Sequence, residues 1–106
     1  MTTFDTRGKA FEGKFAQDQE TAFKVVSRRN RLLGEWAGQK LGKTGEALQA
    51  YVLEVMRSDL ELPGDEDVRA KVQGDLAGVA GEDEVRAQMQ SLLEAARLHV
   101  ENARKA

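Results

Sequence analysis

One histidine, two acidic triplets, a cluster of arginines and a glycine-lysine-threonine turn are the residues of this 106-residue chain with chemistry to offer. His99 could act as a general base, but cysteine is absent and no serine is spaced to form a nucleophile pair with it. It reads as a surface or partly packed residue of the last helix. Asp65-Glu66-Asp67 and Glu82-Asp83-Glu84 offer oxygens of the kind that hold divalent ions. Neither has the alternating spacing and turn glycine of an EF-hand loop. Each stands where a helix dipole favours carboxylates, so capping accounts for both and no metal is expected.

Arg28, Arg29 and Arg31 could contact phosphates and so open a nucleic-acid reading. A sequence pI near 5.5 and the lack of a wider basic field favour a solvated face or pairing with the acidic middle of the chain. Ala37 to Thr44, AGQKLGKT, differs from the phosphate-binding pattern GxxxxGK[ST] by one residue, with Ala37 in place of the first glycine. A true phosphate loop follows a strand, whereas this stretch ends one amphipathic helix and starts another, so nucleotide hydrolysis is not expected there. Weak phosphate binding through Lys43, Thr44 and the free amides of the next helix stays open.

The elements that must position these residues are helices. No segment alternates with period two over a strand's length, and the length suits one domain with a modest core. Asp18 can cap a first helix of about residues 18–41, with Ala22, Val26, Leu33, Ala37 and Leu41 on one stripe, broadened by Phe23, Val25, Leu32 and Trp36. Gly42 ends it and Thr44 caps a second, about 45–61, whose stripe includes Ala47, Leu48, Tyr51, Val52, Val55, Met56 and Leu60. Pro63-Gly64 closes that helix. Asp65 caps a third, about 66–79, burying Val68, Val72, Leu76 and Val79. A fourth, about 82–104, carries Val85, Met89, Leu92, Leu93, Ala96, Val100 and Ala103. Short connections favour antiparallel neighbours, so residues 18–106 read as an all-α four-helix bundle.

Residues 1–17 are different. Phe4, Phe11 and Phe15 alternate with Asp5, Arg7, Lys9, Glu12 and Lys14, while Gly8 and Gly13 each cost a helix about 1 kcal/mol relative to alanine. Aromatic anchors on a segment of weak helix propensity suit an arm that becomes ordered on a partner. The plainer alternative is that Phe11 and Phe15 extend the first helix and cap the bundle. Charge is also uneven: residues 1–31 hold seven basic against four acidic side chains, and residues 59–84 hold nine acidic against two basic. No apolar run approaches the roughly 20 residues of a membrane span, nor is there a secretory leader pattern, so the expectation is a cytoplasmic protein without membrane insertion.

In order, FDTRGKAFEGKFAQDQE, FKVVSRRNRLLGEWAGQKLG and PGDEDVRAKV resemble the zeta-type inhibitor subunit of the F-type ATP synthase of alpha-proteobacteria. The resemblance spans Phe4 to about Val100 and is strongest at Arg28-Arg29-Asn30-Arg31-Leu32-Leu33-Gly34 with Trp36, and at Pro63 to Val68. It implies a non-enzymatic regulatory protein, without cofactor and monomeric when free. Such a protein blocks ATP hydrolysis when its N-terminal arm enters the catalytic sector between catalytic and non-catalytic subunits and touches the rotary shaft. The positions that map to that arm are Phe4, Asp5, Arg7, Lys9, Phe11, Glu12, Lys14 and Phe15, with Gln17 and Asp18 at the junction. It also implies a place at the cytoplasmic face of the inner membrane, through the synthase, and no nucleic-acid partner. Gly8 and Gly13 depart from the family's better helix formers and imply a weaker inhibitor. The competing classes are a small helical nucleic-acid-binding module and a nucleotide sensor.

Overall fold

The computed structural model describes residues 2–59 and 65–105, and the side chains of 19–59 and 65–103. Helix α1 runs Thr2–Lys40, α2 Gly45–Ser58, α3 Glu66–Asp75 and α4 Glu82–Lys105. No strand occurs among the described residues, so the all-α expectation holds. Leu60 and the Pro63-Gly64 stop lie outside the described residues.

Helix α1 is the spine: it packs against α2, α4 and, more lightly, α3, while α3 joins α2 to α4. The main core gathers Leu33 and Ala37 of α1, Tyr51 and Val55 of α2, Val68 and Val72 of α3, Leu76 just beyond it, and Val85 and Met89 of α4. A second cluster pairs Val25 with Ala96 and Val100. Burying the branched aliphatic side chains contributes about 1.5–3 kcal/mol each, which is what draws four amphipathic helices together.

The turn between α1 and α2 is a glycine-closed helix end. Gly42 adopts φ +77°, its N–H donates to the Gln39 carbonyl at 3.0 Å, and the Lys43 N–H donates to the Gly38 carbonyl at 2.9 Å. That pair of bonds satisfies carbonyls a helix end leaves open, and it needs a residue free to adopt positive φ. The returning α2 then approaches α1 closely at Gly34 and Gly38. A Cβ added at Gly34 would stand 2.9 Å from the Val52 Cα, and one at Gly38 would strike the Leu48 side chain.

Several boundaries and faces differ from the sequence reading. Helix α3 stops at Asp75, not near residue 79. Leu76 leaves helical geometry at φ −92°, ψ 12°, Gly78 turns left-handed at φ +82°, and the N–H groups of Val79 and Ala80 both donate to the Leu76 carbonyl. Val79 thereby leaves the stripe and is exposed. On α1 one buried line runs Val25, Arg29, Leu33 and Ala37, each four residues apart, with Asn30, Gly34 and Gly38 buried beside it. Ala22 falls off that line and is exposed, and Phe23 is 70% exposed. Ala47 and Ala103 are exposed as well. Asp65 precedes α3 but makes no side-chain capping bond, because its carboxylate is engaged by Arg29; Thr44 likewise sits at the N-cap of α2 in extended geometry without a side-chain cap.

Candidate partner-binding site

Two observations on α1 define the site: how far the helix extends, and what fixes its root. Lys40 pairs with Glu84 at 3.0 Å, and Val25 clusters with Val100, so α4 runs antiparallel to α1. At 1.5 Å per residue on both helices, that register brings the last residue of α4, Lys105, level with roughly residue 20 of α1. The α1 backbone continues through residues 18 and 17 to Thr2 without a break. Phe4, Asp5, Arg7, Lys9, Phe11, Glu12, Lys14, Phe15, Gln17 and Asp18 all belong to this stretch, and their side chains lie outside the described residues.

The root is held by a buried polar cluster. Arg29 is 1% exposed and Asn30 2% exposed, in a helix face otherwise given to apolar packing. The Arg29 Nε donates to Asn30 Oδ1 at 2.7 Å and its Nη2 donates to Asp65 Oδ1 at 2.8 Å; Asn30 Nδ2 donates in turn to Asp59 Oδ2 at 3.1 Å. One arginine and its neighbour therefore tie α1 to both ends of the connection between α2 and α3. The Arg29 hydrogen bond, with the guanidinium charge, holds the Asp65 carboxyl below its ordinary range despite partial burial. A guanidinium matches this task because it carries several donors in a fixed plane.

The arginine cluster is thus not a solvated basic face at Arg29, and its pairing is with the acidic middle. Arg31 lies 3.6 Å from Glu35. With Arg29 buried, the nucleic-acid reading loses its central cation. Four of the six carboxylates in the two acidic triplets are in ion pairs: Asp65 with Arg29, Glu66 with Arg69 at 2.8 Å, Glu82 with Arg86 at 3.0 Å and Glu84 with Lys40. The hydrogen bond and charge of Arg69 hold the Glu66 carboxyl low. No group of acidic or histidine side chains suited to a metal ion occurs among the described residues.

Around Tyr51 the lysines are also occupied. The Nζ of Lys43 lies 5.8 Å and that of Lys71 5.5 Å from the Tyr51 ring centre, while the phenol donates to Asp75 Oδ2 at 2.9 Å. Burial, reinforced by the hydrogen bond and charge of Asp75, pushes the Tyr51 hydroxyl far up and keeps it neutral. Burial opposes the charge on Lys71, but its contacts with Asp75 and Glu54 more than offset that and raise its pKa. Lys43 therefore stacks on a ring, Thr44 is exposed, and the AGQKLGKT stretch forms a helix end followed by a new helix rather than a phosphate loop. His99 is exposed on α4.

A signal for the buried anchor was present in the sequence: Arg29 falls four residues from both Val25 and Leu33, on a stripe that is otherwise apolar. No sequence pattern marked Asp59 as its indirect partner.

Fold and site together define a class: a small all-α interaction domain whose longest helix runs past the end of its bundle. The chain belongs to the family described as ATPase inhibitor subunit zeta, which it matches over residues 1–99. The match takes in the arm as well as the bundle, and it is a match to a family of regulatory rather than catalytic proteins. The chain is also similar to a protein whose structure was determined by solution NMR. The two share 43% identity and a TM-score of 0.70 over 76% of this chain and 95% of that one. Comparison with curated proteins gives no match. No helix among the described residues is long and apolar enough to cross a membrane.

Proposed function

We propose that this protein restrains ATP hydrolysis by the F-type ATP synthase through its N-terminal arm, residues 1–17. The arm enters the catalytic sector between catalytic and non-catalytic subunits and meets the rotary shaft. The supporting observation is the combination of a family match that begins at residue 1 with a helix, α1, that continues well beyond the level at which α4 stops. A helix so placed delivers Phe4, Phe11 and Phe15 to a cleft as aromatic anchors, with Asp5, Arg7, Lys9, Glu12 and Lys14 orienting them by charge. Gln17 and Asp18 join the arm to the bundle. Inhibition is steric: the arm arrests rotation in the hydrolytic direction, and no phosphate chemistry is assigned to its residues. The protein works at the cytoplasmic face of the inner membrane, held there by the synthase.

The test is ATPase activity of the purified catalytic sector with full-length protein and with a form lacking residues 1–17. Full-length protein inhibits, and the truncated form retains its helical circular dichroism and loses inhibition. A truncated form that inhibits fully refutes the arm mechanism.

A further inference from the structure

Between residue 19 and Leu33, the buried positions of α1 are Val25, Arg29 and Asn30. Farther along, Gly34 and Gly38 seat α1 closely on α2. Toward the arm that fit gives way to a groove of about 230 Å³, with Phe23 and Ser27 on one side and Leu53 and Met56 on the other. Val25 meets α4 through Ala96 and Val100. Such apolar contacts hold α1 in place without fixing its direction, because apolar burial is indifferent to angle. Hydrogen bonds are not, since they weaken steeply as they bend.

Arg29 and Asn30 supply buried, directional contacts. Arg29 donates to Asp65 at the start of α3 and Asn30 to Asp59 at the end of α2, while the Arg29 Nε holds the Asn30 amide in the orientation that lets it do so. The two acceptors stand on different elements, so together they resist both tilt and rotation of α1. Leverage makes small tilts count. From Asn30 to Phe4 is about 39 Å of helix at 1.5 Å per residue, so a tilt of about 5° at the root moves the far end by about 3 Å. A close-packed pocket does not accept a ring displaced that far.

We propose that Arg29 and Asn30, bonded to Asp65 and Asp59, are positioning residues for inhibition: they aim the free end of α1 and so set the affinity of the arm for the catalytic sector. This rests on the inhibitory reading above. Fixing the arm's direction before it binds removes part of the ordering cost of binding, which is how side chains buried in the bundle can set affinity.

The experiment titrates the catalytic sector with full-length wild type, Arg29→Met, Asp65→Ala, the two changes combined, and Val72→Ala, at a temperature where urea unfolding shows them folded. Val72 lies in the main core outside the cluster, so its truncation destabilises the bundle without touching these bonds. The Asp65 side chain is 55% exposed, so Asp65→Ala removes the bond with little risk to the fold, and it decides alone where Arg29→Met does not stay folded. Arg29→Met requires on the order of tenfold more protein for half-inhibition, Asp65→Ala several-fold more, and both reach the wild-type final inhibition. The combined variant is no worse than Arg29→Met, since Asp65 acts through Arg29. Val72→Ala matches wild type. Spin labels on Ala10→Cys and Leu98→Cys, in a chain with no cysteine of its own, read the direction of α1. Their distance distribution broadens by about 2–3 Å in the cluster variants, the same tilt read roughly 30 Å from the root, and stays as in wild type in Val72→Ala. Cluster variants within twofold of wild type, a combined variant more than twofold worse than Arg29→Met, Val72→Ala equally impaired, or an unchanged distance distribution each overturn the proposal and leave the arm mechanism standing. Wild type that does not inhibit overturns both.

Discussion

Replacing Arg29 with methionine should cost the bundle about 2 kcal/mol. Methionine keeps most of the apolar stem that fills the site, so the loss is confined to the guanidinium's bonds. The ion pair at 2.8 Å joins a side chain 2% exposed to one 55% exposed. Water at Asp65 screens the pair, which discounts it toward the roughly 1 kcal/mol of a good surface bridge. Asn30 Oδ1 loses the buried Nε donor, and an orphaned buried acceptor costs at least about 1 kcal/mol more. For a domain of this size, about 2 kcal/mol lowers the melting temperature by roughly 10 °C. The assay is urea unfolding of both proteins followed by Trp36 fluorescence, repeated in acid. Asp65 has a folded pKa below its unfolded value near 3.8. The pair's contribution is therefore complete above that value and is lost as pH falls through the folded one. The Arg29→Met deficit should stay constant near neutrality and shrink by about half below pH 3.8, leaving the Asn30 part. A deficit under about 0.5 kcal/mol, or one that acid leaves unchanged, refutes the anchor.

Gly34→Ala should destabilise by about 1–3 kcal/mol, since the new methyl meets backbone at Val52, and chemical denaturation reads this directly. Gly38→Ala should cost less, because the Leu48 side chain can rotate away and alanine favours the helix by about 1 kcal/mol. Tyr51→Phe removes the bond to Asp75 and should lower stability by about 1 kcal/mol, again by urea titration, with no change in inhibition. Replacing both Gly8 and Gly13 with alanine should strengthen inhibition by up to roughly thirty-fold, about 2 kcal/mol, in the ATPase titration; unchanged or weaker inhibition counts against helical docking of the arm.

The helices were legible because their apolar residues recur at helical spacing and because Gly42 and the acidic first turns mark ends by ordinary capping chemistry. The faces were less so. Placing a charged side chain on the buried stripe runs against pattern reading, and treating Arg29 as solvent-facing shifts the first helix's apparent stripe toward Ala22 and Phe23. Helix α3 misled for another reason: Val79 keeps helical spacing in sequence, but Gly74 and Gly78 let the chain leave the helix early, and spacing carries no record of that. At the candidate site, the rings and charges of the arm were visible as composition. The closeness of Phe23 to Leu53 was not, because they are 30 residues apart and line one groove only when the Gly34 and Gly38 notches bring α2 against α1.

The unbroken run of α1 from arm to core has a consequence for helix initiation. A free peptide must first form a helical nucleus, at an equilibrium disadvantage of roughly a thousand-fold. Residues 2–17 are joined end to end with turns that Val25, Arg29 and Leu33 already hold in place, so in the intact protein they need only add residues to an existing helix. The bundle is thus a nucleation template for the arm. The same sixteen residues supplied as a separate peptide would carry every proposed anchor and still have to nucleate unaided.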